Sequence, residues 1–306
     1  MRPPFYNDDT PTSRPRCPAC NLSTNNNGVR IMIVRIEDDF DLDKIAESGQ
    51  CFRWRSVSDG GYNIIHAGES LYIRQTGDRE YDVNCDANEF RSVWEPYFDL
   101  GEHYAAIRNR IDRQQDAFLY AASEYGKGIR ILRQDPWETL VSFIISQNRN
   151  IPAIKKSVEL LCQYAGETRT DSRGVCYHSF PTPNALSAMG EAALKACKVG
   201  YRWRYIEAAA NDALNHKLNL ARLLYADENE TSRTLTGIYG VGIKVANCVS
   251  LYGLHHLDAF PVDVWIKRVL AERYPGGYPY QRYSPYNGVY QQYLFAYYRN
   301  RATAAF

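Results

Sequence analysis

Residues 235–248 read LTGIYGVGIKVANC and join two segments of helical pattern through closely spaced glycines. One predicted helix ends at the start of this turn, and the next begins at Ile243. Gly240 and Gly242 permit a tight turn and a close approach of the backbone to a ligand. Backbone N–H groups beside a helix amino terminus attract phosphate oxygen by hydrogen bonding and through the helix dipole. We therefore predict a helix-hairpin-helix at about 231–253, although glycines between helices can also serve only as a turn.

Two residues with catalytic chemistry lie near this predicted hairpin in the sequence. Lys244 stands one turn into the second helix, and Pro261-Val262-Asp263 follows about twenty residues later. An uncharged lysine amine is a nucleophile, and a carboxylate can stabilise positive charge that develops on a reacting group. Asp263 is also suited to cap the helix predicted to begin at Val264. The two roles of Asp263 are compatible, so we predict Lys244 and Asp263 as the catalytic residues.

This combination of hairpin, lysine and aspartate resembles the helix-hairpin-helix, Gly/Pro-rich, aspartate superfamily of DNA glycosylases. Members that carry the lysine combine base excision with cleavage of the DNA strand. The resemblance implies that Lys244 attacks the anomeric carbon of the sugar, displaces the base and leaves a Schiff base that permits elimination of the 3′ phosphate. Iron–sulfur members need four cysteines after the aspartate, whereas the last cysteine of this chain is Cys248. We therefore predict no iron–sulfur cluster, no metal and no cofactor.

Two further segments indicate one branch of this superfamily. Residues 48–54 read SGQCFRW, and residues 135–148 read DPWETLVSFIISQN. They resemble the base-pocket entry and the first helical-domain helix of the 8-oxoguanine DNA glycosylase/AP lyases, in their bacterial-like form. The likeness spans roughly residues 32–300. It implies a bifunctional base excision repair enzyme that flips 8-oxoguanine out of double-stranded DNA.

The resemblance assigns a base pocket to four residues. Gly49 would accept, with its backbone carbonyl, the N7 hydrogen that only the oxidised base carries. Gln291 would read the Watson–Crick edge of the base, and Phe295 and Cys248 would sandwich the flipped ring. The spacing is consistent with these roles, because Lys244 and Cys248, like Gln291 and Phe295, are four residues apart on one helix face. Ordinary core packing is the alternative for Phe295 and Cys248.

A second set of residues would hold the distorted DNA. Residues 200–204, GYRWR, resemble the wedge segment of the family. Tyr201 would prise the base stack apart, Arg202 would contact the orphaned cytosine and Asn148 would occupy the vacated space. The alternative for this segment is a helix amino terminus with solvated arginines. Nearby lysines would neutralise phosphates; these are Lys155, Lys156, Lys195 and Lys198.

Two positions depart from the family pattern. Ala153 stands where the members that demand cytosine opposite the lesion have a second arginine, so we predict looser discrimination of the opposite base. Trp265, two residues after Asp263, stands where some members have a histidine, which puts the DNA phosphate contact expected at that position in doubt.

The hydrophobic pattern predicts an α+β protein, with an N-terminal antiparallel β-sheet domain with helices followed by a mostly α-helical helix-hairpin-helix glycosylase domain. We place a disordered, proline-rich tail at 1–30, the sheet domain at 31–133 and the helical domain at 134–306. Strands are expected at 31–34, 62–65 and 71–74, and 274–285 is expected to be an ordered loop. A buried helix is predicted from Asp135, a second after Pro152, and others at 184–195, 201–215, 229–236, 243–252, 264–273 and 286–300.

The composition is that of a globular protein without a global electrostatic signature. The 306 residues include 36 Lys and Arg against 35 Asp and Glu, so a net charge of +1 leaves any DNA contact to local clusters. The sequence has no long apolar run and no secretory pattern at its start. We therefore expect a monomer that binds no membrane and is cytoplasmic, associated with the nucleoid while acting on DNA. Eight scattered cysteines favour free thiols, and the pair Cys17 and Cys20 alone is a weak signal for zinc.

Two competing functions remain open at this point. A glycosylase of the same fold could remove alkylated bases through a water activated by Asp263, without lyase activity, although Lys244 argues against it. A non-catalytic hairpin module could merely clamp DNA, which explains Gly240 and Gly242 but gives Asp263, Gly49 and Gln291 no role.

Overall fold

A computed structural model of the chain describes residues 22–24 and 30–303, and it has an N-terminal sheet followed by a helical domain. All neighbouring strands of the six-stranded sheet are antiparallel. The predicted α+β class, with the antiparallel sheet first, is therefore confirmed. The strands are β1 (Leu22–Thr24), β2 (Arg30–Arg35), β3 (Trp54–Ser56), β4 (Tyr62–His66), β5 (Glu69–Gly77) and β6 (Glu80–Val83), in the spatial order β1-β2-β6-β5-β4-β3.

The helices follow the predicted order closely. In chain order they are α1 (Leu42–Glu47), α2 (Ala87–Glu89), α3 (Glu95–Tyr97), α4 (Tyr104–Arg108), α5 (Ala117–Tyr125), α6 (Pro136–Ser146), α7 (Ile151–Ala165), α8 (Pro183–Ala196), α9 (Trp203–Leu214), α10 (Leu220–Leu223), α11 (Glu228–Thr236), α12 (Ile243–Tyr252), α13 (Val264–Arg273), α14 (Tyr280–Tyr283) and α15 (Asn287–Thr303). A π-helical turn, Phe90–Trp94, joins α2 to α3, and a 3₁₀ turn, Gly200–Arg202, precedes α9. A hairpin of β7 (Thr168–Thr170) and β8 (Cys176–His178) separates α7 from α8.

The sheet buries one face because apolar side chains alternate along its strands. On β2, Met32 and Val34 point into the core, whereas Ile33 between them is exposed. The buried face packs against α1, through Ile45, and against the π-helical turn, through Trp94. This packing forms a separate apolar core under the sheet.

Side-chain caps explain where the helices that carry the site begin. Asp135 Oδ1 accepts the N–H of Glu138 at 2.7 Å, and proline occupies the first turn of α6. Asn150 Oδ1 accepts the N–H of Ala153 at 3.0 Å at the start of α7. The predicted helices at these positions are confirmed.

Helix α6 lies at the centre of the helical domain. Its predicted stripe is fully buried at Leu140, Val141, Ile144 and Ile145, and α6 packs against α12 and α7. Trp137, at the end of the stripe, is partly buried, and its ring N–H donates to the carbonyl of Pro181 at 3.0 Å. The central helix thus fixes the position of the helix-hairpin-helix.

Helices α4 and α5 pack into the helical core, although they precede the predicted boundary at 133. Tyr104, Leu119 and Ala122 are fully buried in the same apolar cluster as the residues of α15, and α5 lies directly against α15. The chain therefore enters the helical core before residue 133, and the boundary itself stays a prediction.

Some local features differ from the sequence predictions. The predicted tail lies largely outside the described residues, but residues 22–24 form a strand because the edge of β2 offers unpaired backbone groups. The hairpin of β7 and β8, the strands β3 and β6, and the short helix α14 within the predicted loop 274–285 were not expected. These elements are three or four residues long, too short for a periodic pattern to register.

Candidate active site

A cleft of about 830 Å³ opens between the start of α12, the start of α13, α15 and the loop before β3. A smaller recess of about 60 Å³ adjoins it and shares Lys244 and Asp263 with it. The recess holds roughly two water molecules, which is less space than a purine base occupies. The cleft is lined by Gly49, Asn148, Lys244, Asp263, Trp265 and Phe295 among others, and the recess by Gly49, Lys244, Cys248, Asp263, Gln291 and Phe295 among others.

Lys244 projects from the first turn of α12 into both cavities. Its ammonium nitrogen lies 5.2 Å from the centroid of the Phe143 ring, which stacks in turn on Tyr252 at 5.4 Å. One turn further along α12, burial raises the pKa of the Cys248 thiol, and the neighbouring Lys244 ammonium opposes this rise. The lysine amine is therefore held on an aromatic ring beside a neutral thiol.

Asp263 caps α13 and lines the cleft at the same time. Its Oδ1 accepts the N–H groups of Trp265 at 3.0 Å and Ile266 at 2.8 Å. Both capping bonds use Oδ1, and among the described residues Oδ2 has no hydrogen-bond donor. The structure thus shows the capping role, and it places the same carboxylate at the two cavities that Lys244 lines.

Gly49 lies in a turn that its neighbours hold rigidly. The buried Gln50 amide donates to Ser48 Oγ at 2.8 Å and to the carbonyl of Arg130 at 2.9 Å. Gly49 has a φ of +79°, a conformation that side-chain-bearing residues rarely adopt. A Cβ on this residue would lie 3.6 Å from the ring of Phe295, so the glycine backbone directly faces that ring.

Gln291 and Phe295 approach the recess from one face of α15. Gln291 is 3% exposed, and its Oε1 accepts a hydrogen bond from the side chain of Gln292 at 3.1 Å. Gln292 also donates to the hydroxyl of Tyr252 at 2.5 Å. A buried amide at the wall of a recess is a group that requires polar partners, which a base edge can supply.

The hairpin between α11 and α12 turns at two glycines, Gly240 and Gly242. Gly240 has a φ of +83°, and a Cβ on it would overlap the ring of Tyr205, so a glycine is required there. Gly242 caps α12 without a side-chain hydrogen bond, with a φ of −90° that any residue can adopt. A Cβ on Gly242 would meet open space, so this glycine leaves the amino terminus of α12 uncovered.

The structure places the wedge residues at one rim of the helical domain, with Tyr201 exposed and Arg202 buried. Tyr201 is 55% exposed, whereas Arg202 is only 6% exposed. The Arg202 guanidinium donates to the backbone carbonyls of Gln147 and Val199. The alternative of solvated arginines is therefore wrong for Arg202, and a contact with the opposite base would require this side chain to leave its internal partners.

The remaining predicted DNA-contacting residues are spread around the cleft. Asn148 is exposed, with a φ of +51°, and among the described residues its side chain has no hydrogen-bond partner. Trp265 lines the cleft, with the guanidinium of Arg268 at 5.1 Å from its ring. Beside the wedge, the ammonium of Lys156 lowers the pKa of Lys198, which indicates two adjacent positive charges. Of the other predicted lysines, Lys195 is paired with Glu191 at 2.5 Å.

Sequence reasoning assigned no role to several residues that line the site, among them Phe143, Gln147, Arg149 and Gln292. Phe143 belongs to a helix that is buried on nearly every side, so no pattern distinguishes it. Gln147 and Arg149 flank Asn148 between the apolar end of α6 and the cap of α7. Their polar side chains, next to a predicted DNA-contacting residue, were the signal in the sequence that could have indicated a place at the site.

Neither a metal site nor a membrane helix is found in the part of the chain that the structure describes. Residues 22–24 and 30–303 contain no group of three or more His, Cys, Asp or Glu side chains placed to bind a metal. Within these residues, no helix has the length and apolarity to span a membrane. The six cysteines in this part are unpaired, and the predicted weak zinc signal at Cys17 and Cys20 lies outside it.

Two family models match the chain in succession. The 8-oxoguanine DNA glycosylase N-terminal domain matches residues 31–140. The HhH-GPD superfamily base excision DNA repair protein matches residues 141–275. Among named proteins, the N-glycosylase/DNA lyase of Saccharomyces cerevisiae is 40% identical over 167 residues, which are 48% of this chain and 42% of the yeast protein. The chain thus matches less than half the length of that relative.

Solved structures resemble nearly the whole chain. MBOgg1 in complex with a low-affinity DNA ligand is 37% identical, with a TM-score of 0.84 over 93% of this chain and 99% of that one. The Clostridium acetobutylicum 8-oxoguanine glycosylase/lyase, in complex with double-stranded DNA containing cytosine opposite 8-oxoG, is 33% identical, with a TM-score of 0.84 over 92% and 98% of the two chains. The fold, the two matched models and these identities together show that the chain belongs to the OGG type of the HhH-GPD superfamily of base excision DNA repair glycosylases.

Proposed function

We propose that this protein is a base excision repair enzyme that removes 8-oxoguanine from double-stranded DNA and then cleaves the strand at the abasic site. The observation that carries the proposal is the meeting of Lys244 and Asp263 in one recess with the base-pocket residues Gly49, Gln291 and Phe295. The names of the related proteins support the same reaction class, since they are called N-glycosylase/DNA lyases and 8-oxoguanine glycosylase/lyases.

In the proposed reaction the lesion leaves the base stack and enters the recess beside α15. The unprotonated Lys244 amine attacks the sugar C1′, the bond from C1′ to the base nitrogen breaks, and the bonding electrons leave with the base, which takes up a proton. Asp263 stabilises the positive charge that develops on the sugar. The amine that gains the sugar loses its proton. The bond from C1′ to the ring oxygen O4′ then breaks, O4′ takes up a proton, and a Schiff base forms between Lys244 and C1′. Loss of a 2′ proton then expels the 3′ phosphate by β-elimination.

The recess must widen to accept the base, because its 60 Å³ are too small for a purine. Phe295 lines both the recess and the cleft, so displacement of this ring would join the two spaces. The glycine at position 49 allows its backbone carbonyl to face the entering base without an intervening side chain. A carbonyl accepts the N7 hydrogen of 8-oxoguanine and repels the lone pair of guanine at the same position, which supplies the selectivity.

The test is a duplex with one 8-oxoguanine, incubated with the protein and borohydride. We expect a covalent protein–DNA adduct, because borohydride reduces the Schiff base between Lys244 and the sugar. Lys244→Gln is expected to lose the adduct and to slow excision about a thousandfold or more. Lys217→Gln, at an exposed lysine that lines neither cavity, is the matched control and is expected to retain both activities.

Three results would contradict this proposal. Full excision by Lys244→Gln, or release of an alkylated base without an adduct, would favour a glycosylase that activates water through Asp263. Binding of duplex DNA without excision of any base would favour a non-catalytic clamp.

A further inference from the structure

Three turns that face DNA in the proposed function meet at one residue, Gln147. The finger turn, residues 147–149, follows α6 and carries Asn148. The wedge turn, residues 200–202, carries Tyr201, and the hairpin at 237–242 contains Gly240. The proposed function gives each turn a separate task on the DNA, and none of the tasks explains why the turns are bonded to one another.

The side chain of Gln147 bonds the finger turn to the hairpin. Its amide nitrogen donates to the carbonyl of Gly240 at 3.1 Å and to the carbonyl of Ile144 at 3.2 Å. The carbonyl of Gly240 belongs to the glycine whose position the ring of Tyr205 restricts from the other side. Gln147 thus bonds the finger turn to the hairpin at the glycine that packs against Tyr205.

The backbone of Gln147 bonds the finger turn to the wedge turn. Its carbonyl accepts the Nε of Arg202 at 2.9 Å and also the Nη2 of the same guanidinium. The Arg202 guanidinium lies 4.4 Å from the ring centroid of Tyr201, so it supports the exposed wedge from behind. The Arg202 side chain is only 6% exposed, and its charged guanidinium donates to a carbonyl. Such a charge-assisted bond fixes the position of the side chain.

Aromatic contacts close the connection on the outer side. Tyr205 makes edge-to-face contacts with Tyr201 at 5.8 Å and with Tyr239 of the hairpin at 5.1 Å. The wedge and the hairpin are therefore linked twice, through Gln147 on the inside and through Tyr205 on the outside.

Asn148 is held out toward the DNA by its neighbours. Its φ of +51° lies in the left-handed region, which asparagine adopts more readily than most residues with a side chain. Arg149, on the other side, donates to Ser157 Oγ at 2.9 Å and to the carbonyl of Lys198 at 2.8 Å. Gln147 and Arg149 anchor the turn, and the Asn148 side chain projects from between them.

We propose that Gln147 is a positioning residue that couples the grip of the hairpin on the DNA backbone to the insertion of Asn148 and Tyr201 into the base stack. The inference rests on the proposed function and adds how eversion of the base is driven. Without the bond from Gln147 to Gly240, the hairpin still binds the strand, but the finger turn and the wedge turn no longer keep a fixed position relative to the hairpin. Insertion then succeeds less often, and the loss is largest where the lesion is well paired.

The test compares two duplexes, one with 8-oxoguanine opposite cytosine and one with 8-oxoguanine opposite an abasic site, under single-turnover conditions. Gln147→Met keeps the length of the side chain and removes the donor. We expect excision from the paired duplex to slow fivefold to tenfold, as the loss of one hydrogen bond implies. We expect less than a twofold change on the unpaired duplex, where eversion costs little, and less than a threefold change in binding of either duplex.

Gln147→Glu, which also lacks the donor, is the second variant and should show the same contrast between the duplexes. Gln75→Met is the matched control, because Gln75 donates to the carbonyl of Gly77 at 3.2 Å in the remote sheet. Equal losses on both duplexes, or no loss on either, would overturn the inference, since a merely structural role affects both substrates alike. A wild-type protein that excises from neither duplex would instead contradict the proposed function and the inference with it.

Discussion

For single residues of the site, the neighbours in the sequence do not show which groups a side chain contacts. Asp263 is a helix cap through Oδ1, and the same side chain lines the cleft. Arg202 resembles a DNA-contacting residue in sequence, yet its guanidinium is bonded to two backbone carbonyls inside the protein. A sequence motif identifies the residue type, but the burial of the side chain decides which group it serves.

Ala153 provides a prediction at this scale. It lies in the first turn of α7, between Pro152 and Ile154, both of which line the cleft. Since no arginine stands at this position, we expect wild-type excision of 8-oxoguanine to favour cytosine less than tenfold over the other opposite bases. In Ala153→Arg a guanidinium can reach the opposite base, and we expect the preference for cytosine to rise about fivefold or more.

Single-turnover excision with each of the four opposite bases measures this preference. Ala221→Arg adds the same charge on α10, which contributes no residue to the cleft, and it controls for nonspecific attraction. A wild-type preference of tenfold or more for cytosine over all three other bases would contradict the expectation.

At the scale of elements, the start of α6 combines a cap with a carboxyl group in a poorly solvated place. Burial raises the pKa of Glu138 to about 7, and the nearby Arg53 guanidinium only partly offsets this effect. Asp135 and Glu159 are also close and raise the pKa further. The first turn of the central helix therefore carries a group that is protonated in the folded state at mildly acidic pH.

This raised pKa predicts how stability depends on pH. The unfolded chain releases the proton of Glu138 near pH 4.5 and the folded chain releases it near pH 7. The stabilisation that comes from proton binding to folded Glu138 is therefore complete below pH 4.5 and is lost as the pH rises to 7. The side chain of Glu138→Gln cannot ionise. The free energy of unfolding of the variant minus that of wild type should therefore rise by about 2 kcal/mol from pH 5 to pH 8. Urea denaturation of both proteins across this range measures the difference, and a constant difference would contradict the pKa.

At the scale of the whole molecule, one buried guanidinium joins the loops of the sheet domain to the base of the site. Arg130 has no exposed surface, and it donates to Asp38 Oδ2 at 3.0 Å and to four backbone carbonyls. Its own backbone carbonyl accepts the amide of Gln50, the neighbour of Gly49. The geometry at Gly49 therefore depends on how the segments around Arg130, from Asp38 to Glu102, pack together.

Removal of this guanidinium should destabilise the whole protein. Arg130→Met leaves four carbonyls without this donor and Asp38 with only its backbone donors, and we expect the free energy of unfolding to fall by about 3–5 kcal/mol. Arg79→Met removes an exposed arginine paired with Glu37 and is the control, with a stability expected to stay close to wild type. Denaturant titration of the two variants measures the difference, and similar midpoints would show that the interior bonds of Arg130 contribute little.

Several features followed from the sequence alone because they depend on local chemistry. The periodic burial of α6, its start after Asp135, the cap of α13 and the turn at Gly240 arise from residues close together in the chain. The residues around the recess could be assigned because they fall on shared helix faces and match a family pattern.

Only the tertiary structure decided which distant segments meet. Gln147 contacts Gly240 across 93 positions of sequence, and Gln50 reaches Arg130 across 80. Such contacts follow from how whole helices pack, and packing depends on the shape of every buried side chain at once. For this reason the sequence could indicate Lys244 as the nucleophile, whereas the bonds that hold the wedge to the hairpin became visible only in three dimensions.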